Sequence, residues 1–302
     1  MQRREFIKLG ATCAALMGLS TKLAPELAHG LARAGEENKS ILWLQGQSCS
    51  GCSVSLLNAE QPTFFQIITQ SISLQFHSVL SAATGEVAQN TVENIIQSRN
   101  YYLVAEGSLP EGMPEACTFG GDYFQDLLRR AAENSEAVIS AGTCAAFGGI
   151  PAADGNKTGA VSVTKYLQGQ NINSVINIPG CPMHPDWMTG VIAHLTTWGV
   201  PELDEKHRPK TFFGQTVHDN CPRYAYYAQE QFARHPGETG CLFLVGCLGP
   251  ITKSDCTLRK WNEGINHCID ANAPCAGCAS EGFALDRDFP FYTLEHKHWT
   301  IY

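Results

Sequence analysis

Ile41-Leu42-Trp43-Leu44-Gln45-Gly46-Gln47-Ser48-Cys49-Ser50-Gly51-Cys52 joins a short apolar run to a glycine-bearing loop with two cysteines. The run is too short for a helix and shows no polar alternation, which is the pattern of a strand buried on both faces. The cysteines follow just past the strand's carboxyl end. Glycines beside them let backbone approach a bulky group and aim N–H donors at it. In an open parallel sheet, ligands bind in the crevice outside these strand ends.

The same pattern repeats along the chain. Apolar runs at 74–79, 101–105, 137–140 and 175–178 read as further strands, and amphipathic stretches at 64–72, 86–98, 122–133, 161–167 and 186–198 read as helices. Strands alternating with helices predict an α/β domain: a flavodoxin-like, doubly wound parallel sheet over 40–202. A polar segment at 201–209, bracketed by Pro201 and Pro209, marks a boundary. Beyond it periodicity fades and seven cysteines follow. Residues 203–302 therefore read as a second, irregular domain that needs metal or covalent staples in place of a large core.

The whole chain has 302 residues, 44% of them hydrophobic, and a net charge of -8, with no block of like charge. A basic nucleic-acid surface is excluded by this balance. The first residues, Arg3-Arg4-Glu5-Phe6-Ile7-Lys8, precede a weakly apolar stretch and then Ala32-Arg33-Ala34, an A-x-A cleavage pattern. This is the form of a twin-arginine export signal over 1–34, the kind that carries folded, cofactor-loaded proteins to the periplasm. No later run reaches the ~18 apolar residues of a membrane span. The tail Glu295-His296-Lys297-His298-Trp299 is polar. Any membrane association is expected through a partner.

Thirteen cysteines are the strongest signal. Cys49 and Cys52, Gly142-Thr143-Cys144 and Pro179-Gly180-Cys181-Pro182 all lie just past strand ends. Four thiolates converging from three loops suit a cubane [4Fe–4S] cluster better than zinc. In the second region, His218-Asp219-Asn220-Cys221 groups with Cys241 and Cys247 as three thiolates and one imidazole. Replacing thiolate by neutral imidazole raises a cluster's potential. Cys256 groups with Pro274-Cys275-Ala276-Gly277-Cys278, and Cys268 stands beside them. Three thiolates would hold [3Fe–4S], and a fourth from Cys268 would complete [4Fe–4S].

These pieces, in this order, resemble the [NiFe]-hydrogenase small subunit. The resemblance runs from Ile41 to Phe283 and includes His184-Pro185-Asp186-Trp187, Gly246-Cys247 with Gly249-Pro250, and Arg259-Lys260-Trp261-Asn262. It implies three clusters. The proximal [4Fe–4S] sits on Cys49, Cys52, Cys144 and Cys181. The medial cluster sits on Cys256, Cys275 and Cys278. The distal [4Fe–4S] sits on His218, Cys221, Cys241 and Cys247. Family members with a proline at the place of Cys268 carry a medial [3Fe–4S], so Cys268 predicts [4Fe–4S] here.

Gly51 and Gly149 occupy the places where oxygen-tolerant relatives have extra cysteines, which implies the standard, oxygen-sensitive proximal site. Leu248, Thr257 and Met183 replace residues frequent in the family without touching a ligand. Cys13 would leave with the signal, and Cys117 remains as a buried thiol.

The resemblance also implies the activity and its partners. The enzyme interconverts dihydrogen with protons and electrons at a nickel–iron site on a large subunit, which forms an obligate heterodimer with this chain. This chain has no catalytic residue of its own and passes electrons to a c-type cytochrome or a membrane-bound carrier. Three other readings stand beside it. A secreted disulfide-rich binding protein would pair its cysteines. A zinc-stabilised domain would be colourless. An iron–sulfur subunit of a respiratory complex would lack the His218-x-x-Cys221 set and the export signal.

Overall fold

In the computed structural model, residues 3–285 are described apart from 38, 61, 64, 67–71, 173 and 236. Five strands form one wholly parallel sheet: β1 (Ser40–Gln45), β2 (Ser73–His77), β3 (Tyr101–Glu106), β4 (Ala137–Ala141) and β5 (Val175–Ile178). Their spatial order is β2-β1-β3-β4-β5, the flavodoxin-like order.

The helices include α1 (Arg3–Leu16), α2 (Ala24–Glu36), α3 (Gly51–Leu57), α4 (Gly85–Ser98), α5 (Phe124–Asn134), α6 (Gly142–Phe147), α7 (Val163–Gly169) and α8 (Pro185–Trp198). Single turns follow: α9 (Lys210–Phe213), α10 (Tyr224–Ala228) and α11 (Cys256–Arg259).

Strand residues alternate between two cores. Leu42, Leu44, Leu103 and Val138 meet α4, α5 and α7 on one face. Ile41, Trp43, Tyr102, Val104 and Ile139 meet α3 and α8 on the other. Because both faces are covered, the central strands β1, β3 and β4 read as nearly continuous apolar runs, while the edge strand β2 is only partly buried. Helix α5 shows how sequence selects a face: Phe124, Leu127, Leu128, Ala131 and Ala132 form its buried stripe at helical spacing.

Element ends shift from the sequence expectation for local reasons. The strand expected over 74–79 stops at His77, whose Nδ1 accepts from the amides of Val79 and Leu80 and turns the chain. The helix expected from 122 begins at Phe124, because Asp122–Tyr123 pairs with Thr118–Phe119 in a small ribbon. Ser162 caps α7 by accepting from the Lys165 amide, so that helix starts at Val163. Most of the helix expected over 64–72 falls outside the described residues, as does the polar tail.

Most of the stretch read as an export signal over 1–34 folds within the hairpin α1–α2, Arg3–Glu36, against α8. Leu9, Cys13, Ala14, Met17, Leu27, Leu31 and Ala34 join the core that contains Trp187 and Val191.

After Pro201 the described chain is mostly turns around a small core of Val217, Ala233, Leu242, Val245 and Ile269, which Cys247 and Cys275 help to fill. The segment at 201–209 is a pinned turn. Asp204 accepts from the amides of Lys206 and Arg208 and pairs with the Arg208 guanidinium at 2.8 Å, both side chains being buried. Asn177 of β5 holds the turn by donating to the carbonyl of Lys206. Burial raises the Asp204 carboxyl, but the hydrogen bonds and charge of Arg208 outweigh it and hold the group below the usual carboxylate range.

Removing one partner of a buried ion pair strands the other, which costs about 3–5 kcal/mol. Asp204→Asn should therefore lower the thermal midpoint at neutral pH. A depressed folded pKa contributes stability above the unfolded value, about 3.9, and loses it as pH falls through the folded value. The gap in midpoint between wild type and Asp204→Asn, followed by thermal unfolding across pH, should close below about pH 4.

Candidate metal centres

All thirteen cysteines are free thiols, so paired disulfides do not explain their number. The first set gathers at the sheet's carboxyl edge. Cys49 and Cys52 leave β1 through Ser50, which takes a left-handed conformation before α3. Cys144 lies in α6 directly after β4, and Cys181 follows β5. Two glycines make room for these sulfurs. Gly142 has φ +84°, and a Cβ there would stand 2.3 Å from Cys52 Sγ; Gly149 has φ +55°, and a Cβ there would stand 2.9 Å from Cys144 Sγ. Any larger residue would fill the space between the thiols.

Beneath this loop lies a carboxylate that sequence pattern alone does not single out. Glu106, at the end of β3, is 2% exposed. It accepts from Trp43 Nε1 at 3.0 Å, Gln45 Nε2 at 2.9 Å, Ser48 Oγ at 3.0 Å and the Cys52 amide at 3.1 Å. Ser53 Oγ donates to it as well. His77 Nε2 meets Ser53 Oγ at 3.0 Å, and Nδ1 already accepts from the backbone, so the ring donates through Nε2. Burial pushes His77 down to about 4, against the opposing pull of Glu106. The ring is therefore neutral at pH 7. A lone acid closing a fully apolar central strand was the available signal.

The second set forms around α11. Cys256 opens that turn, and its sulfur lies 2.8 Å from Ser254 Oγ. Burial, with a smaller contribution from Cys278, pushes the Cys256 thiol up to about 12. Cys278 rises to about 11, first through burial and then through the charges of Cys268 and Cys181. Cys275 is pushed well up by burial, with Cys247 and Cys278 adding to it. The structure thus brings Cys268 within electrostatic reach of Cys278.

In the third set His218, Cys221, Cys241 and Cys247 line one small, tight pocket together with Arg223, Phe243 and Ile269. Aromatic rings hold the imidazole, with Tyr227 at 4.5 Å and Tyr224 at 5.2 Å between centroids. Burial lowers its pKa, which favours the neutral, ligating form. Cys247 Sγ accepts from the amides of Gly249 and Cys275, and Cys221 Sγ accepts from that of Arg223.

The sets touch in sequence. Thr143, beside Cys144, donates its hydroxyl to the carbonyl of Cys278, and its Oγ1 also accepts from the Gly180 amide at 2.9 Å. Cys275 sends its amide to Cys247 Sγ and its carbonyl receives the Leu248 amide at 2.8 Å. First set, second set and third set are therefore contiguous. Among the described residues, no three His, Cys, Asp or Glu side chains close tightly enough to hold a single metal ion. Thiolates sharing one zinc would stand about 3.8 Å apart, given bonds of about 2.3 Å. An iron–sulfur cluster binds each thiolate to a different iron, and the soft donors and glycine-lined space fit that group.

Comparisons with known proteins agree with this donor chemistry. Residues 49–195 match the family model "NADH ubiquinone oxidoreductase, 20 Kd subunit", and residues 213–292 match the model for the C-terminal part of the NiFe/NiFeSe hydrogenase small subunit. The periplasmic [NiFeSe] hydrogenase small subunit of Desulfomicrobium baculatum is 40% identical over 98% of this chain and 99% of its own length. The hydrogenase-2 small chain of Escherichia coli K12 is 38% identical over 95% of this chain and 78% of its own. A crystal structure of the reduced, active Ni-Fe-Se hydrogenase from Desulfomicrobium baculatum superposes with a TM-score of 0.80 at 40% identity, covering 85% of this chain and 99% of that one.

Glu106→Ala would leave the Trp43 indole N–H and the Cys52 amide unpaired in the interior. Each such group costs about 1–3 kcal/mol, so a loss of roughly 3 kcal/mol or more is expected in thermal unfolding, with Glu106→Gln milder because it keeps an acceptor.

Proposed function

Because the chain belongs to the family of NiFe/NiFeSe hydrogenase small subunits, we propose that it is a three-cage wire between a large-subunit nickel–iron site and an external electron carrier. Its relatives are parts of an enzyme that oxidises dihydrogen, and this chain is the electron-transfer subunit of such an enzyme. Cys49, Cys52, Cys144 and Cys181 would hold a proximal [4Fe–4S]. Cys256, Cys268, Cys275 and Cys278 would hold a medial [4Fe–4S]. His218, Cys221, Cys241 and Cys247 would hold a distal [4Fe–4S]. The observation that carries this reading is the contiguity of the sets, Thr143 and Cys181 to Cys278 and Cys275 to Cys247.

When bound, these clusters would supply one-electron transfer. The chain's own residues do the positioning. Glu106 fixes the Cys49–Cys52 loop through the Cys52 amide, and its buried negative charge favours the more oxidised state of anything held there. Amides aimed at Cys247 and Cys221 do the opposite, stabilising added negative charge on sulfur. His218 contributes no charge, which raises potential further at the last site. Cys49 is exposed at the mouth of the crevice, where a catalytic partner would deliver electrons. The external acceptor, a c-type cytochrome or a membrane-bound carrier, would dock near His218.

Export by the twin-arginine route to the periplasm completes the proposal. The Desulfomicrobium baculatum small subunit is named periplasmic and aligns over 98% of this chain, whereas the crystal structure from that organism covers 85%. Removal of a leader would give a difference of this kind. Among the described residues no helix is long and apolar enough to cross a membrane.

Iron and sulfide analysis with EPR on the purified heterodimer tests the wire. About twelve irons on this chain are expected, with no strong oxidised-state [3Fe–4S] signal. Cys268→Pro should remove one iron and create that signal. A full [3Fe–4S] signal in the wild type would overturn the Cys268 assignment, and fewer than three clusters would overturn the wire. In EPR-monitored titration, His218→Cys should lower the distal potential and leave the proximal signal in place.

A further inference from the structure

The second set differs from the third in what surrounds its sulfurs. In the third set the donors are backbone amides, of Arg223 to Cys221 and of Gly249 and Cys275 to Cys247. Beside Cys256 stand two buried side-chain hydroxyls. Ser254 is 1% exposed, and its Oγ lies 2.8 Å from Cys256 Sγ. The same Oγ accepts from the Cys256 amide at 3.2 Å, and the Ser254 amide donates to the Gln215 carbonyl at 2.9 Å. The hydroxyl oxygen is thus held in place, with its proton free for the sulfur.

Which atom donates depends on what the sulfur carries. As a thiol, Cys256 can give or take the proton. A cysteine that binds metal has lost its proton, so Ser254 must then be the donor. Thr252 is the contrast. It lies within hydrogen-bonding reach of Cys275, but its hydroxyl is committed to the Leu248 carbonyl at 2.8 Å.

Thr257 directly follows Cys256 in α11 and is buried, and its Oγ1 has no hydrogen-bond partner among the described residues. Buried hydroxyls are rarely left in that state. The sulfur atoms of a group held by Cys256 would give it an acceptor.

We propose that Ser254 and Thr257 set the redox potential of the medial site, Ser254 by donating to the Cys256 thiolate and Thr257 by donating to a sulfur of the group that Cys256 holds. A donor to sulfur stabilises the added negative charge of the reduced state and so raises the potential. A fourth thiolate from Cys268 acts the other way, because it adds negative charge to the site. The two hydroxyls offset it and keep the middle of the wire from falling far below its neighbours. The inference rests on the three-cage reading above.

EPR-monitored redox titration of the purified heterodimer, with iron analysis, is the test. Ser254→Ala and Thr257→Val each remove one hydroxyl and should lower the medial midpoint potential. At the potential where the wild type is half reduced, the ratio of reduced to oxidised medial cluster should fall about threefold or more in each variant, the scale of one modest hydrogen bond. Ser254→Thr keeps a hydroxyl and should stay near the wild type. Iron content and the proximal and distal potentials should not move. An unchanged medial potential in either variant overturns the role given to that residue. If Ser254→Ala loses iron or fails to fold, Thr257→Val decides, since it keeps the shape of the side chain and leaves Ser254 in place. A wild type without a medial cluster would sink the three-cage reading, whereas a medial cluster indifferent to both hydroxyls sinks only this inference.

Discussion

Burial of thiols beside one another is the constraint on which this protein turns. Burial pushes Cys181, Cys275 and Cys247, one from each set, towards their neutral form, and neighbouring thiols add to the effect. Ionised together they would repel in a medium that screens poorly. Cations placed among them would reverse that balance, so loading with the proposed clusters would release protons and contribute folding energy. The irregular second region makes this dependence plain. Its small core includes Cys247 and Cys275 themselves, so residues proposed to hold metal also hold the chain.

The first region solves a different problem. Its sheet has a full core on each face, in which Cys52 is one member among many large apolar side chains. This rigidity lets three separate strand ends present four cysteines to one crevice, with Gly142 and Gly149 leaving space between the sulfurs. The two regions are then locked together by polar contacts around α11. Trp187 Nε1 donates to Asp255, and Arg259 pairs with Asp255 and Asp186. His184 Nε2 meets the carbonyl of Lys260. These contacts tie the start of α8, near Cys181, to the turn that carries Cys256. Electron transfer weakens steeply with distance, so these contacts would also fix the spacing between the proposed cages.

The sheet, its order and the positions of the cysteines past strand ends were legible from residue pattern, because parallel strands covered on both faces must be apolar throughout. The grouping of His218 with Cys221, Cys241 and Cys247 was legible too, and one cavity collects all four. Several boundaries were not, since they hang on single side chains such as His77 and Ser162 that cap or turn the backbone. The network of Glu106, Ser53, His77 and Trp43 was invisible for a related reason: it draws on β1, β2, β3 and α3 at once, and no spacing in the sequence brings those together.

Residue type and order alone determined the fold class, the donor chemistry and the family, because thiolates after glycine-flanked strand ends can serve few purposes. Tertiary structure alone decided how near the sets lie to one another, which buried carboxylate supports the first, and that the N-terminal hairpin has a seat on α8. Each of those depends on which surfaces exclude water together, and that is a property of the packed chain that no local stretch carries.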